Sequence, residues 1–303
     1  MLTGAIEAGG TKFVCGVGDP HGSRETARFP TGDVAATLAA VVAFFRAAEA
    51  RHGPVAAFGI GSFGPLQLDP TAADYGRITT TPKPGWAGAD IPAALRAAFA
   101  VPVAIDTDVN TAALAEATHG AGAGVSSLAY VTVGTGIGVG LAIDGRTVRG
   151  LGHPEAGHLL PRRHPDHGDF AGICPYHGDC LEGLASGPAI IAAWGASFAE
   201  LPADHPAWGV QADYLGQLCA TLILTAAPAH IVLGGGVLSQ QRLIEGTRRR
   251  TEARLAGYCA DWTGDAFATR ITAPGCAEPP GLLGAYMLAE AAALLRTSAS
   301  PPG

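Results

Sequence analysis

Lysine is nearly absent from this 303-residue chain, which carries 17 arginines but only two lysines, Lys12 and Lys83. Both lysines fall in glycine- and proline-rich stretches, where a compact ammonium could serve a ligand better than the planar fork of arginine. Charge is scarce as well, since only 15% of the residues are charged and the net charge is −7. A nucleic-acid partner requires a basic face that meets phosphates, so the composition argues against one.

Long hydrophobic runs are also missing. No apolar stretch reaches the roughly 20 residues that a helix needs to cross a bilayer, so we expect no membrane partner. The first residues lead directly into a strand-like pattern, without the basic segment and cleavage site of a secretory signal. Six cysteines are too few for a disulfide scaffold in a chain of this size and fit a reducing, cytoplasmic compartment. With 48% hydrophobic residues, the chain can form two domains with separate cores.

Two strand–turn–strand patterns, at residues 2–18 and 127–143, each close on a glycine-rich turn. Walker and Rossmann loops run from their glycines into a helix, whereas these turns run into a strand. Such a turn can still present successive N–H groups to a phosphate, although each one alone is equally compatible with a plain hairpin. Because the pattern occurs twice, it suggests phosphates clamped across a cleft between two related halves.

Two carboxylates follow a short strand predicted at residues 101–105. Asp106 and Asp108 would lie at the C-terminal end of this strand, where α/β sheets usually bind ligands. Asn110 adds an amide in the first turn of the helix that follows. An aspartate at a helix start is also an ordinary N-cap, so one of the two could cap the helix while the other faces the cleft.

Residues 153–182 contain four side chains with metal-ligand chemistry, namely His158, Cys174, His177 and Cys180. Zinc binds thiolate and imidazole ligands tetrahedrally, and three of these residues follow one another at intervals of three. Four protein ligands leave no open position, so the pattern predicts a structural zinc site. The alternative is a reduced, buried cysteine pair beside surface histidines.

The remaining elements follow from hydrophobic periodicity and turn residues. Further strands are predicted at residues 55–61 and 229–233, and helices at 33–50, 91–99, 186–196, 212–226, 243–255 and 281–295. Thr31 or Asp33 would cap the first helix and Gly53 would end it, and a short tail, 298–303, would follow the last helix. Gly234–Gly236 forms a third glycine-rich stretch, which suits either a close approach to a base or ribose or a tight turn.

In chain order, the motifs EAGGTK, TDVN, GTGIGVG, HPEAGH, CPYHGDCLE and PAHIVLGGGV resemble those of the ROK-family sugar kinases over nearly the whole chain. FGP, YGRITTTPKPGW and DFAGICPYHGDCLEGLASGP most resemble the bacterial fructokinases of that family. The resemblance implies an α/β, two-domain actin/hexokinase-like (ribonuclease-H-like) fold with a cleft between the domains and a zinc-binding insertion. It also implies a small domain of residues 1–115, completed by a C-terminal helix at 281–297, and a large domain of residues 116–280 that carries the zinc segment and the adenosine site.

The activity implied by the resemblance is ATP-dependent phosphorylation of D-fructose to fructose 6-phosphate, with Asp108 as the general base. The alternative substrates are glucose, mannose or an N-acetylhexosamine. Residues implied to contact the sugar are Gly64, Pro65, Asn110, Glu155, His158 and Glu182. Residues implied to bind ATP are Gly9, Gly10, Thr11, Lys12, Thr132, Gly134, Thr135, Gly136, Pro188, Gly234, Gly235 and Gly236. The zinc ligands implied are His158, Cys174, His177 and Cys180. Mg²⁺ would accompany ATP, and a homodimer is expected because the family is commonly dimeric.

Two positions depart from the family pattern. Glu7 stands where the family often has aspartate, which bears on the magnesium shell, and Thr80 stands where asparagine is expected, which bears on a sugar contact. The family also contains sugar-responsive transcriptional regulators, in which a helix-turn-helix segment precedes the first hairpin. The early hairpin and the acidic charge argue against that function. A zinc-stabilised binding module without catalysis is disfavoured by Asp108.

Overall fold

The computed structural model describes residues 1–298, so residues 299–303, on which most of the predicted tail falls, lie outside the described part. The chain forms two compact units. Unit 1 comprises Met1–Ala115, Arg146–His153 and the described residues from Cys276 onward, and unit 2 comprises Glu116–Gly145 and Pro154–Gly275. Residues 146–153, placed in the large domain by the sequence-based boundaries, thus fold with unit 1. Among the described residues, no helix is both long enough and apolar enough to cross a membrane.

The helices and strands are numbered here in chain order. They are β1 Thr3–Ala8, β2 Lys12–Asp19, β3 Gly22–Pro30, α1 Val34–His52, β4 Phe58–Ser62, α2 Ile91–Ala98, β5 Val103–Thr107, α3 Asp108–His119, β6 Ser127–Val133, β7 Ile137–Ile143, β8 Arg146–Thr147, α4 Leu181–Ala185, α5 Gly187–Trp194, α6 Ala207–Ala226, β9 His230–Gly234, α7 Gln241–Leu255, α8 Ala266–Arg270, β10 Ile271–Thr272 and α9 Pro280–Ser298. Short 3-10 helices occur at Ala156–His158, Pro165–His167 and Val237–Ser239.

Unit 1 contains a mixed sheet with the strand order β3-β2-β1-β4-β5. Strand β2 is antiparallel to β1 and β3, whereas β1, β4 and β5 are parallel. In the register of these parallel strands, Ala8 pairs with Ser62 and Ser62 pairs with Thr107. The three segments that follow β1, β4 and β5 therefore leave the same edge of the sheet, which is the usual place for ligands in α/β folds.

The predicted helix at residues 33–50 is confirmed as α1, which packs on this sheet through residues spaced three or four apart, such as Val41 and Phe45. The Asp33 side chain accepts the amide of Ala36 at 2.9 Å and so caps the helix. Gly53, with a φ of 93°, ends it. Trp86 is fully buried, and its indole N–H donates to the carbonyl of Gly32 at 2.9 Å.

Unit 2 repeats the core of this topology. The antiparallel hairpin β6–β7 is extended by the parallel strands β9 and β10, as β1–β2 is extended by β4 and β5 in unit 1. The predicted repetition of two glycine-turn hairpins is thereby confirmed. Helix α6 begins at Ala207, before the predicted residue 212, because Pro206 already has a helical backbone conformation.

Candidate active site

Asp108 is the first residue of α3 and directly follows β5. The hydroxyl of Thr107 accepts the amide of Asn110 at 3.1 Å, so Thr107 caps the helix. The expectation that one of the two aspartates caps α3 is wrong, because a hydroxyl between them takes that role. The Asp108 carboxylate accepts the amide of Val109 at 2.9 Å. Burial nevertheless raises the pKa of Asp108 to about 6, which leaves it ionised yet basic near neutral pH.

Asp106 has a different environment from Asp108. It is fully buried, and one oxygen accepts the Thr107 amide and the Asn110 side-chain amide, both at 2.8 Å. The other oxygen accepts the Thr147 hydroxyl at 2.8 Å and the Arg149 guanidinium at 2.6 Å. With four hydrogen bonds on two oxygens, Asp106 is a structural carboxylate. Of the two strand-end aspartates, Asp108 is therefore the one suited to accept a proton.

Glu7 lies on β1, one residue before its last residue. Burial, followed by the negative charge of Asp108, raises the pKa of Glu7 to about 7, although Lys12 and Arg28 act in the opposite direction. A Cβ at Gly281 would lie 2.7 Å from a carboxylate oxygen of Glu7, so the first turn of α9 packs closely against this side chain. Glu7 thus places a second carboxyl group in the electrostatic field of Asp108.

Unit 1 brings together the predicted residues that follow its parallel strands. The turn after β1 is closed by the amide of Gly9, which donates to the carbonyl of Lys12 at 2.9 Å, and the space beside Gly10 is open. The loop after β4 contains the cis peptide bond Gly64–Pro65 and starts where the Phe63 amide donates to Ala8 at 2.8 Å. Turn, loop and the start of α3 are thus neighbours at one sheet edge.

Unit 2 brings together its predicted ATP residues at the corresponding edge. Thr132 of β6 pairs with Gly234 of β9. Gly235 has a φ of 92°, and a Cβ there would lie 2.4 Å from the carbonyl oxygen of Val133, so only glycine fits this close approach. The amide of Gly187 donates to the carbonyl of Gly134 at 2.8 Å. This bond places Pro188, the next residue, beside the turn formed by Gly134, Thr135 and Gly136.

The four predicted metal ligands converge in unit 2, with donor atoms that lie within 4.8 Å of one another. The distance from His158 Nδ1 is 3.4 Å to Cys180 Sγ and 3.8 Å to Cys174 Sγ, and His177 Nδ1 lies 3.7 Å from Cys174 Sγ. In a tetrahedral zinc site with ordinary bond lengths, nitrogen and sulfur ligands are about 3.6 Å apart. The distances between the donor atoms therefore fit a zinc site. A reduced cysteine pair beside surface histidines would not require the two imidazoles to converge on the thiols.

Local backbone structure explains how this segment forms. Cys174 and Gly178 exchange two backbone hydrogen bonds, of 3.1 and 2.9 Å, and Gly178 adopts a φ of 64°. The resulting tight turn brings His177 back towards Cys174. Burial is the main cause that raises the pKa of the Cys180 thiol to about 11, so a bound metal would have to displace its proton.

The two carboxylates predicted beside this cluster differ in their surroundings. Glu155 is exposed at the start of a 3-10 turn, and its carbonyl accepts the amide of His158 at 3.0 Å. Glu182 accepts the amide of Ile137 at 2.9 Å, and its other oxygen lies 4.0 Å from His158 Nε2. The contact to Ile137 was not anticipated, since no pattern in the sequence links a hairpin amide to a carboxylate 45 residues away.

The chain is similar to known proteins over nearly its whole length. A family model described as ROK family matches residues 3–292. A fructokinase of Zymomonas mobilis is 45% identical over 96% of this chain and 97% of its own length. A putative fructokinase of Bacillus subtilis is 41% identical over 96% of each chain. Among solved structures, a ROK hexokinase from Thermus thermophilus is similar with a TM-score of 0.74 and 29% identity, covering 99% of this chain and 100% of its own.

Proposed function

The chain belongs to the ROK family, and we propose that it is an ATP-dependent fructokinase, which transfers the γ-phosphoryl group of ATP to the 6-hydroxyl of D-fructose. The observation that carries the substrate is the similarity to fructokinases over nearly the full length, which is 45% identity in the Zymomonas mobilis protein. The two mixed sheets, each followed at one edge by glycine-rich turns and loops, belong to the α/β fold of the ROK sugar kinases.

The proposed reaction needs one proton acceptor at the sugar. The 6-oxygen of fructose attacks the γ-phosphorus, the bond from that phosphorus to the bridging oxygen of ADP breaks, and the hydroxyl proton passes to the Asp108 carboxylate. A pKa of about 6 leaves this carboxylate ionised at neutral pH while keeping it a better base than an exposed aspartate. Asp106 cannot substitute for it, since both of its oxygens are already hydrogen-bonded.

Phosphate binding is assigned to the two glycine turns, and adenosine binding to Gly234–Gly236. The turns at Gly9–Lys12 and Gly134–Gly136 follow strands of their respective sheets and expose backbone N–H groups, which suit phosphate oxygens. Gly235 permits a close approach of the β9 loop to β6, and Gly236 faces open space in which a nucleoside could lie. The sugar contacts implied at Gly64, Pro65, Asn110, Glu155, His158 and Glu182 remain part of the proposal.

Two metals belong to the proposal. Zn²⁺ would be held by His158, Cys174, His177 and Cys180, and with four protein ligands it would stabilise the segment rather than activate a substrate. Mg²⁺ would be held largely by ATP and water and would neutralise phosphate charge. Glu7 is a second carboxyl group beside this site, since it interacts electrostatically with Asp108. The cytoplasmic location and the homodimer remain predictions.

An ADP-release assay with a panel of hexoses tests the proposal. Fructose should be turned over with a higher kcat/KM than glucose, mannose and N-acetylhexosamines. A faster reaction with one of those sugars would refute the substrate assignment while leaving the kinase assignment in place. Absence of ATP turnover with every hexose, in protein that is folded and contains zinc, would refute both.

A further inference from the structure

The segment Arg146–His153, hereafter the connecting segment, has an unusual position in the chain. Unit 2 residues precede it at Gly145 and follow it at Pro154, and its first two residues form strand β8 next to β7, yet the segment groups with unit 1. Its first half contains Thr147 and Arg149 and its last residue is His153. None of these residues belongs to the predicted active site, so their contacts require a separate explanation.

The first half of the connecting segment is bound to Asp106. Thr147 and Arg149 donate to the same carboxylate oxygen at 2.8 and 2.6 Å. The Asp106 side chain is fully buried, whereas that of Arg149 is 35% exposed. A buried carboxylate needs such donors, because without them its charge would remain uncompensated in the protein interior. Arg149 and Thr147 thus satisfy this oxygen of Asp106 and fix the carboxylate in orientation.

The second oxygen of Asp106 transmits this orientation to Asn110. It accepts a hydrogen bond from Asn110 Nδ2 at 2.8 Å, and Asn110 is itself buried. A side-chain amide whose NH₂ group is committed to a carboxylate must turn its Oδ1 in the opposite direction. Asn110 lies in the first turn of α3, two residues after Asp108, so the fixed amide is close in sequence to the proposed base.

The last residue of the connecting segment contacts a second part of the same edge. His153 Nε2 accepts the backbone amide of Leu66 at 3.0 Å. Leu66 directly follows Gly64–Pro65, and a Cβ at Gly64 would lie 3.5 Å from the His153 ring. The loop after β4 therefore packs against His153. The connecting segment thus supports two elements of this edge: the loop, through His153, and Asn110, through the hydrogen bonds from Arg149 to Asp106 and from Asn110 to Asp106.

We propose that the connecting segment positions the sugar-contact elements of unit 1, with Asp106 and Arg149 as positioning residues that hold Asn110 in one amide orientation for a sugar hydroxyl. These residues act through Asn110 and do not touch the reacting atoms. The proposal rests on the proposed function, since it assumes that Asn110 faces the sugar. It deepens that function by identifying residues outside the predicted contact set on which sugar affinity depends.

Substitution of Arg149 tests the proposal. Arg149→Met removes the charge and donors while retaining much of the side-chain volume, and it should raise the KM for fructose about tenfold or more. The KM for ATP and kcat should change less than threefold, because neither the glycine turns nor Asp108 contacts Arg149. Arg149→Lys, which keeps a cation able to donate to Asp106, should recover most of the fructose affinity. Arg146→Met, an exposed arginine on the same segment, is the matched control.

Three results would overturn the proposal. The first is a fructose KM in Arg149→Met equal to that of Arg146→Met. The second is a parallel rise in the KM for ATP and fall in the melting temperature that together account for the whole effect. The third is an Arg149→Lys variant no better than Arg149→Met. If the wild type prefers another hexose, the proposed substrate fails, and the same variants are then compared with that hexose, so the two failures are distinguishable.

Discussion

Glu182 and Ile137 are joined by a hydrogen bond in which the Ile137 amide donates to the Glu182 carboxylate over 2.9 Å. Ile137 is the first residue after the glycine turn at Gly134–Gly136, and Glu182 is two residues after the predicted ligand Cys180. The bond therefore connects the predicted phosphate turn to the predicted metal segment within unit 2. A charged acceptor makes this a stronger hydrogen bond than a neutral one would be.

Gly136→Ala should weaken this connection. A Cβ at Gly136 would lie 2.5 Å from a Glu182 carboxylate oxygen, so the carboxylate must move away from the Ile137 amide. We expect a loss of about 1.5–3 kcal/mol in the free energy of unfolding, the usual range for a hydrogen bond to a charged group. Gly134→Ala is the control for stability, because the space beside Gly134 is open. Equal denaturation midpoints for the two variants would contradict the expectation.

Asp108→Asn should remove most turnover and leave the fold intact. A general base contributes about 10²–10⁴-fold to a rate, so kcat should fall by that factor while ATP binding, measured by calorimetry, is retained. Asp74→Asn removes an exposed carboxylate of the same unit and is the matched control. A kcat for Asp108→Asn within threefold of the wild type would exclude Asp108 as the base.

The rate should depend on the ionisation of Asp108. Its pKa is raised by burial to about 6, and only the carboxylate form accepts a proton. The value of kcat/KM, which reports the free enzyme, should therefore fall tenfold per pH unit below about pH 6. An acid limb centred near pH 4, where an exposed aspartate titrates, would show that Asp108 is not the group that controls the rate.

The sequence was sufficient to predict those elements that depend on residues close together in the chain. The glycine turns, α1 with its Asp33 cap, and the four converging metal ligands all depend on residues close together in the chain. Strand β3 was not predicted, because its residues alternate between partly and fully exposed positions and offer no apolar face. An edge strand of this kind needs charged residues that discourage further pairing, so its pattern resembles a loop.

The role of Asp106 could not be predicted for a different reason. Its partners Thr147 and Arg149 are 41 and 43 residues away in the sequence, within a segment that follows a hairpin of the other unit. The Thr107 cap was missed because two aspartates beside it are equally good capping residues. Long-range contacts thus decide the role of Asp106 and local backbone geometry decides the helix cap, and residue types alone predict neither.

Removal of the predicted zinc site should affect the sugar more than the nucleotide. Cys180→Ser should lower the bound zinc from about one per chain to a small fraction, lower the melting temperature and raise the KM for fructose, because His158, Glu155 and Glu182 lose their fixed positions. The KM for ATP should change less. Cys259→Ser, at a partly exposed cysteine away from the cluster, is the control. A metal-free variant that retains full fructose affinity would restrict zinc to a stabilising role.

Glu7 should make the protein less stable as the pH rises. Its pKa in the folded protein is about 7 against 4.5 for an ordinary glutamate, so the folded state binds this proton more tightly than the unfolded state does. The resulting stabilisation is complete below about pH 4.5 and is lost as the pH rises through about 7.

Glu7→Gln cannot ionise, so this variant should be more stable than the wild type at pH 8, by about 2 kcal/mol after allowance for the partly exposed side chain. At pH 4 the two should be nearly equal. Denaturant titrations at the two pH values measure the difference, and an equal effect of Glu7→Gln at both would mean that Glu7 is ionised throughout and that its charge is compensated in the folded protein.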